Sequence, residues 1–355
     1  MFADLLEMEV EEDHRLASSF RLRLSLHKDA DGLWAYLDDE RARLWNKVTI
    51  SVALDGEEQD LIEGYVTQIC PHHDAAEDQS YVELVGLDES CLMSLEEKIK
   101  DWPGKSDSDI AREIFQSYNL AGEVDETGAA RDEAVMTVIQ RETDMQFLRR
   151  LARRRGFECF VRGGKGYFRR PVLTDPPLPT LAAHFGEETN LISFDARADA
   201  TRPLKATMHR LDPLAKEQLE AAAEMPTLQQ LGAQGAAMFA PPEGVTPRMF
   251  VKHVVAADLA EMKSVSGAIV DESAWFVEGR GELDSSLYGA VLEPRRLVPV
   301  KGVGEAFSGV YYLTSVRHVF RDERYTQHFT ARRNALAPSG PQDFPADDSL
   351  LGGLL

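Results

Sequence analysis

The stretch Val48-Thr49-Ile50-Ser51-Val52 is followed by Gly64, by Val66-Thr67-Gln68-Ile69 and by Tyr81. Near the far end of the chain, Leu297-Val298-Pro299-Val300 is followed by Gly309, by Leu313-Thr314-Ser315-Val316 and by Tyr325. Apolar strand, glycine, Val/Leu-Thr-x-Ile/Val and aromatic strand thus occur twice in one order, with about 15 residues between the first two strands each time. Two readings are open: a chance likeness between two β modules, or a duplicated β-barrel.

Working outward, residues 1–95 read as β. Phe20, Leu22, Leu24 and Leu26 alternate with Arg21, Arg23 and Ser25, the period of a half-buried strand. Val48, Ile50, Val52 and Leu54 repeat that period before an Asp55-Gly56 turn. Further strands are expected at 65–69 and 81–87, with a polar loop at 71–79. Several short strands with turn signals suggest a small barrel or sandwich.

Residues 96–185 read as α/β. Ser106 or Ser108 can cap a helix whose apolar face is Ile110, Ala111, Ile114, Phe115 and Tyr118. Thr143 and Gln146 suggest a capping box, Phe147, Leu148 and Leu151 an apolar stripe, and Gly156 a stop. A hairpin turning at Gly163-Gly164-Lys165-Gly166 follows, and Pro171, Pro176, Pro177 and Pro179 mark a boundary. Residues 186–335 return to β, with strands at 191–196, 206–209, 297–300, 310–320 and 325–332. A helical insertion is expected at about 212–278: one helix from the Asp212-Pro213 cap to about Glu224, a second from about Ala257 through the Trp275 region, and a Gly/Ala/Pro loop at 232–247 between them. Residues 336–355 read as a flexible tail. The expected class is therefore α+β, mainly β.

The chain has 355 residues, more than the roughly 250–300 at which single cores stop growing, so several modules are expected. Its formal net charge of -21 argues against nucleic acid and against an anionic membrane surface as partners. No apolar run is long enough to span a bilayer, and Met1 to Arg15 lacks the form of a signal peptide. Cys70, Cys91 and Cys159 are odd in number and widely spaced, which points to free thiols in a reducing compartment. A cytoplasmic protein that later joins a larger particle is expected.

Motifs for chemistry fail. Gly104-Lys105-Ser106 would end a phosphate loop only if a glycine stood at Ile99. His72-His73-Asp74 lacks a second pair at ligand spacing, and His318 and His328 lack neighbours of the right kind. No nucleophile elbow and no Cys-His arrangement stands out. No catalytic residue, cofactor or metal is therefore expected, and the chain is expected not to be an enzyme. The basic run at the end of the second helix, Arg149, Arg150, Arg153, Arg154 and Arg155, reads either as a solvated face that complements the helix dipole or as a site for an acidic partner.

Three stretches carry a resemblance. They are Leu37-Asp38-Asp39-Glu40-Arg41 through Asn46-Lys47-Val48-Thr49-Ile50 with Glu63-Gly64-Tyr65-Val66-Thr67; Val138 to Ala152, containing Gln140-x-Glu142-x-Asp144-x-x-Phe147-Leu148, ending at Gly156-Phe157; and Gly302-Val303-Gly304, Phe307 to Leu313, His318 and Thr330-Ala331-Arg332-Arg333-Asn334. In this order, over nearly the whole chain, they resemble the late-control D / VgrG family of phage-tail and contractile-injection hub proteins. Pro294-Arg295-Arg296 stands where that family often has Pro-Gly, and the 232–247 loop finds no counterpart.

The resemblance implies a homotrimeric baseplate hub without enzymatic activity. Two related tube-like β-barrel domains, 1–95 and 186–335, would flank an inserted α/β domain at 96–185, so that three subunits present six barrels. Such a ring adapts a hexameric inner tube to a trimeric spike, and implies the inner tube protein, a separate spike protein and baseplate wedge proteins as partners. With only 21 residues after Asn334, the needle itself is expected in another polypeptide. Arg150, Arg153 and Arg154 are the expected contacts to a baseplate partner, with Arg154 reversible to glutamate without loss of folding. Leu350, Leu351 and Leu354, near the apolar end of the tail, are expected to contact the spike. A baseplate-associated cell-wall hydrolase and a cargo-loading adaptor are the alternatives.

Overall fold

The computed structural model describes residues 2–339 other than 39, 55, 213–215, 240 and 243. Strand accounts for 43% of the chain and helix for 19%, so the class is α+β, mainly β. Two compact units form. Unit 1 comprises Met1–Pro171, Val255–Glu261 and Ser315–Gln327, and unit 2 comprises Val172–Val254, Met262–Thr314 and His328–Leu355.

Unit 1 begins with β1 (Leu5–Asp13), β2 (Ser19–Ser25), β3 (Lys47–Leu54), β4 (Glu57–His72) and β5 (Tyr81–Asp88). Their sheet order is β1-β2-β5-β4-β3, antiparallel throughout. One face is apolar because the period-2 residues Val10, Phe20, Leu22, Leu24, Val82 and Leu84 are all buried. Gly64 lies where β4 passes closest to β5. A Cβ there would stand 2.1 Å from the Leu87 carbonyl oxygen, so no larger residue fits without moving the strand.

The rest of unit 1 is built from β6 (Glu97–Trp102), α1 (Asp107–Ser117), β7 (Ala121–Val124), β8 (Val138–Thr143), α2 (Asp144–Arg155), β9 (Glu158–Arg162) and β10 (Lys165–Arg169). β6 and β8 form an antiparallel ribbon, and β7-β10-β9 form a small sheet. Trp102, Ile110, Phe115, Phe147, Leu148, Leu151 and Phe168 share one core beneath the two helices. Ser106 caps α1 with a reciprocal bond to Asp109. Thr143 Oγ1 accepts the Gln146 N–H at 3.4 Å to start α2, and Gly156 ends it with φ at 68°, in the left-handed region.

Unit 2 contains β11 (Leu181–Ala182), β12 (Leu191–Ala198), β13 (Lys205–Leu211), β14 (Gln218–Ala223), β15 (Gln234–Gly235), β16 (Arg248–Val251), most of α3 (Leu259–Ala274), β17 (Val277–Asp284), α4 (Ser285–Tyr288) and β18 (Leu297–Lys301). The hairpin of β19 (Gly309–Arg321) and β20 (Arg324–Arg333) has its base in unit 2 and its tip in unit 1, and β21 (Ala335–Leu336) follows. The unit 2 sheet runs β12-β17-β20-β19, with β18 on β19 and β11 on β18. In unit 1, the outer part of β19 pairs with β1, from Glu7 opposite Arg321 to Asp13 opposite Ser315.

Arg333 is the largest fully buried side chain of unit 2, held by the carbonyls of Leu231, Ser308 and Ala337 at 3.1, 2.8 and 2.8 Å. Asn334 accepts the Leu231 N–H and donates to the Gln229 carbonyl, both at 2.8 Å. These bonds satisfy backbone groups that a buried loop would otherwise leave unpaired.

Two sequence expectations change. Where a helix from Asp212 to about Glu224 is expected, Gln218–Ala223 is strand: β14 pairs antiparallel with β13, Leu211 opposite Gln218 through Ala206 opposite Ala223. Glu, Leu and Ala favour helix in isolation, but pairing to a neighbouring strand overrides so small a preference. Within the expected helical insertion, β15 and β16 are also strands, and among the described residues only α3 is a long helix there. The repeat corresponds to two runs of consecutively paired strands, β3-β4-β5 and β18-β19-β20. The described strands do not close into a barrel.

Candidate functional site

At the start of α1, the end of α2 and the first turn of α3, unit 1 buries a charge network. Arg131 Nη2 donates to Asp107 at 2.6 Å and to Glu261 at 2.7 Å. Arg154 Nη2 donates to Glu261 at 2.8 Å and to the Val255 carbonyl at 2.7 Å, and Arg155 Nε donates to Asp107 at 2.7 Å. Burial raises the Glu261 carboxyl, but the Arg131 hydrogen bond and the Arg154 charge outweigh it and hold the group below the usual carboxylate range.

The α2 arginines therefore have different roles. Arg154 is 10% exposed and turned inward, so reversing its charge strikes the network rather than a solvated face. Arg150 is half-buried and pairs with Glu142 at 2.6 Å. Arg153 is exposed. Leu350, Leu351 and Leu354 lie outside the described residues.

The motif Gln140-x-Glu142-x-Asp144 is a structural buckle. Asp144 accepts from Lys98 at 2.5 Å, Gln140 at 2.7 Å and Tyr118 at 2.9 Å, while Gln140 accepts the Trp102 indole N–H at 3.1 Å. Burial pushes the Asp144 carboxyl up, yet these donors hold it below its ordinary value. Lys105, once a phosphate-loop candidate, pairs with Glu113, and Ser106 caps α1. His72 stacks on Tyr81 and His73 packs against Trp34. His318 is fully buried, with Nδ1 2.8 Å from the Tyr325 hydroxyl and Nε2 3.6 Å from Glu12. Among the described residues no group of three or more His, Cys, Asp or Glu could hold a metal, and no helix is long and apolar enough to cross a membrane. Cys70 is exposed, and burial pushes the Cys91 thiol up to about 11, which leaves little thiolate at neutral pH.

Three surfaces remain. The first is the face of the unit 1 sheet opposite its core. Register sets Arg321 beside Glu7, Glu7 beside Arg23, and Arg23 beside Glu83. Arg23 donates to Glu83 at 2.6 Å, and Arg21 donates to Glu9 at 2.8 Å. Charges of alternating sign make this face polar without a strong net field.

The second is the outer edge of β3, which pairs only with β4 among the described strands. Just before it, Leu44 and Trp45 are 53% and 50% exposed. Trp45 has φ at 68°, an uncommon conformation for so bulky a residue, fixed by its N–H to the Val66 carbonyl at 2.8 Å. Arg41, Arg43 and Lys47 flank the pair.

The third is the outer edge of β12, which pairs only with β17 among the described strands. A half-open cleft of about 350 Å³ lies at the start of this strand, with a mixed lining that includes His184, Thr189 and Ser193 beside Leu191, Phe194 and Phe307. Exposed Asp195 stands between the lining residues Phe194 and Ala196, and exposed Glu187 and Glu305 each lie two positions from a lining residue. No lining residue is a carboxylate, and His184 is the one titratable side chain among them. Sequence reading missed both edges. Leu44 and Trp45 carry no periodicity, and the cleft is assembled from three separate segments.

The fold is shared with tail proteins. The tail protein of Neisseria meningitidis MC58 superposes with a TM-score of 0.67 at 14% identity, covering 93% of this chain and 92% of that one. The 43 kDa tail protein of prophage MuSo2 from Shewanella oneidensis gives 0.66 at 15%, covering 94% and 95%. An E. coli component of the type VI secretion system, itself similar to the T4 bacteriophage tail proteins gp27 and gp5, gives 0.56 at 13%, covering 96% and 78%. No curated protein matches the chain in sequence. The model of the Alg8 N-terminal domain matches residues 43–322, most of the chain. The chain, with the fold of phage and type VI tail proteins, belongs to the Alg8 N-terminal domain family.

Proposed function

We propose that this protein is a structural hub of a phage-tail-like contractile injection machine, of the late-control D / VgrG kind. It works as a homotrimeric ring between a hexameric inner tube and a trimeric spike. The observation that carries this reading is the repeated run of paired strands, β3-β4-β5 and β18-β19-β20, within a tail-protein fold. Two similar modules per subunit give three copies six similar modules, the number a hexameric tube needs from a three-fold ring. In this reading the modules are two tube-like barrels, at 1–95 and 186–335, completed on assembly. The segment 96–185 sits outside the ring toward baseplate wedge proteins, with Arg150 and Arg153 as its candidate contacts. The alternating charges on the unit 1 sheet suit a passage that must not hold what moves through it.

The role is mechanical, and the chain has no catalytic activity. Light scattering across a salt series tests the assembly. A net charge of -21 per chain opposes association at low salt, so screening, or the tube protein, favours a trimer. A stable dimer at every salt concentration contradicts the ring.

A further inference from the structure

We propose that the free edge of β16 in unit 2 receives an extended acidic segment of another protein, added as a fourth strand to the sheet β14-β13-β16. The segment carries an apolar residue with a carboxylate on either side. This goes beyond the hub reading and does not depend on it. The two faces of the sheet differ. Register puts Ala206, Met208 and Ala221 on one face, where all three are buried. His209 and Leu211 of β13 lie on the other face. Arg248 and Phe250 of β16 join them there, because Lys205 stands opposite Arg248 and Thr207 opposite Phe250. Phe250 stacks on His209 with ring centroids 6.2 Å apart yet stays 49% exposed, and Leu211 is 66% exposed.

Three observations select the occupant. The first is the edge. Among the described strands β16 pairs only with β13. The Pro247 carbonyl accepts from the Leu204 and Lys205 N–H groups, so it faces β13, and alternation along the strand turns the N–H and C=O groups of Arg248 and Phe250 outward. Outward backbone groups of this kind are satisfied by an added polypeptide strand. The second is charge. Arg248, Lys252 and His253 are exposed, and among the described residues none of them pairs with a carboxylate. Deeper in the sheet Lys205 does pair, with Glu224 at 3.0 Å. In a chain of net charge -21, cations left unpaired along an exposed edge select an acidic neighbour. The third is apolar area. Charges alone would guard the edge against pairing, but a guarded edge does not expose phenylalanine and methionine. Phe250 and Met249, the latter 45% exposed, project to opposite faces of β16, so a strand laid beside it covers part of both. Alternation sets the motif: an apolar residue beside Phe250, with carboxylates two positions away toward Arg248 and Lys252.

The test is fluorescence anisotropy with the full chain and a labelled peptide, Thr-Glu-Thr-Leu-Thr-Glu-Thr, at low salt. One control peptide has lysine for both glutamates. A second keeps the glutamates but has proline for the two central threonines, which removes strand pairing at unchanged charge. The acidic peptide is expected to bind at least about tenfold more tightly than either control. Phe250→Ser, and separately Arg248→Glu with Lys252→Glu, are each expected to weaken it about tenfold. Circular dichroism checks folding, and the charge reversal, confined to exposed positions, carries the test should Phe250→Ser not fold. Absence of binding overturns the proposal. Equal binding of the proline peptide reduces the edge to bare charge, and variants that bind like the unmodified chain place the site elsewhere; either result overturns it too. Tighter binding of a single-stranded oligonucleotide would assign the edge to nucleic acid instead. Self-association of the unmodified chain that Phe250→Ser abolishes would assign it to a second copy. None of these outcomes bears on the hub reading, which the number of copies in the particle decides.

Discussion

Replacing Glu261 by glutamine tests whether the buried network holds unit 1 together. Its carboxylate takes hydrogen bonds from Arg131 at 2.7 Å and Arg154 at 2.8 Å, and from the Ala257 N–H at 2.6 Å. Three guanidiniums face the two carboxylates Asp107 and Glu261, so the substitution leaves three against one. Removing one partner of a buried ion pair costs about 3–5 kcal/mol, because the remaining charges stay desolvated. The amide still accepts one bond, which places the expected loss near the lower end, about 3 kcal/mol. With a urea m-value of about 2–3 kcal/mol/M, the midpoint for unit 1 should fall by about 1–1.5 M at pH 7. The pH dependence carries a sign. The folded-state pKa of Glu261 is depressed, so its stabilisation is fully present above the unfolded value of about 4.3 and is lost as pH falls through the folded value. The gap between the two proteins should therefore close in acid, where both side chains are neutral. A loss below about 1 kcal/mol at pH 7, or a gap that persists unchanged in acid, would refute the reasoning.

Further outcomes follow from the same geometry. Leu148→Ala, at a fully buried site, should cost about 2–4 kcal/mol in chemical denaturation. Arg154→Glu should lower the thermal midpoint sharply by placing a third carboxylate in the network, whereas Arg153→Glu, at an exposed site, should leave the midpoint unchanged. If Arg153 contacts a baseplate partner, that second variant should reduce particle yield, and an unchanged yield returns it to solvent. Incubation of the purified protein with peptidoglycan should release no soluble fragments, and release abolished by a single carboxylate substitution would contradict the structural role.

What could be read from the sequence follows from what each signal measures. Strands β2, β3 and β5 have one buried face, so their alternation was plain. β1 was missed because Glu7, Glu9, Glu11 and Glu12 hide a strand among acidic residues. Its buried positions include Val10 and, unusually, Glu12. The β6-β8 ribbon was missed because Ile99 is 87% exposed on its outer face, while Lys98 and Lys100 reach back toward Asp144 and Glu113. Local pattern recognises burial, and here burial and polarity do not coincide. The basic face of α2 shows the same limit. Five arginines in seven positions look alike in sequence, yet Arg154 and Arg155 meet Glu261 and Asp107 from distant segments while Arg153 faces outward. The caps of α1 and α2 depend on neighbours three positions apart, which is why both were visible.

The proposed role puts this chain in a three-fold ring at the end of a hexameric tube. Cryo-electron microscopy of the assembled particle tests it directly by counting copies in the ring that joins tube to spike. Three copies of this chain around an open passage, presenting six similar strand modules to the tube, are expected. Six copies, one copy, or a closed body with no passage would contradict it.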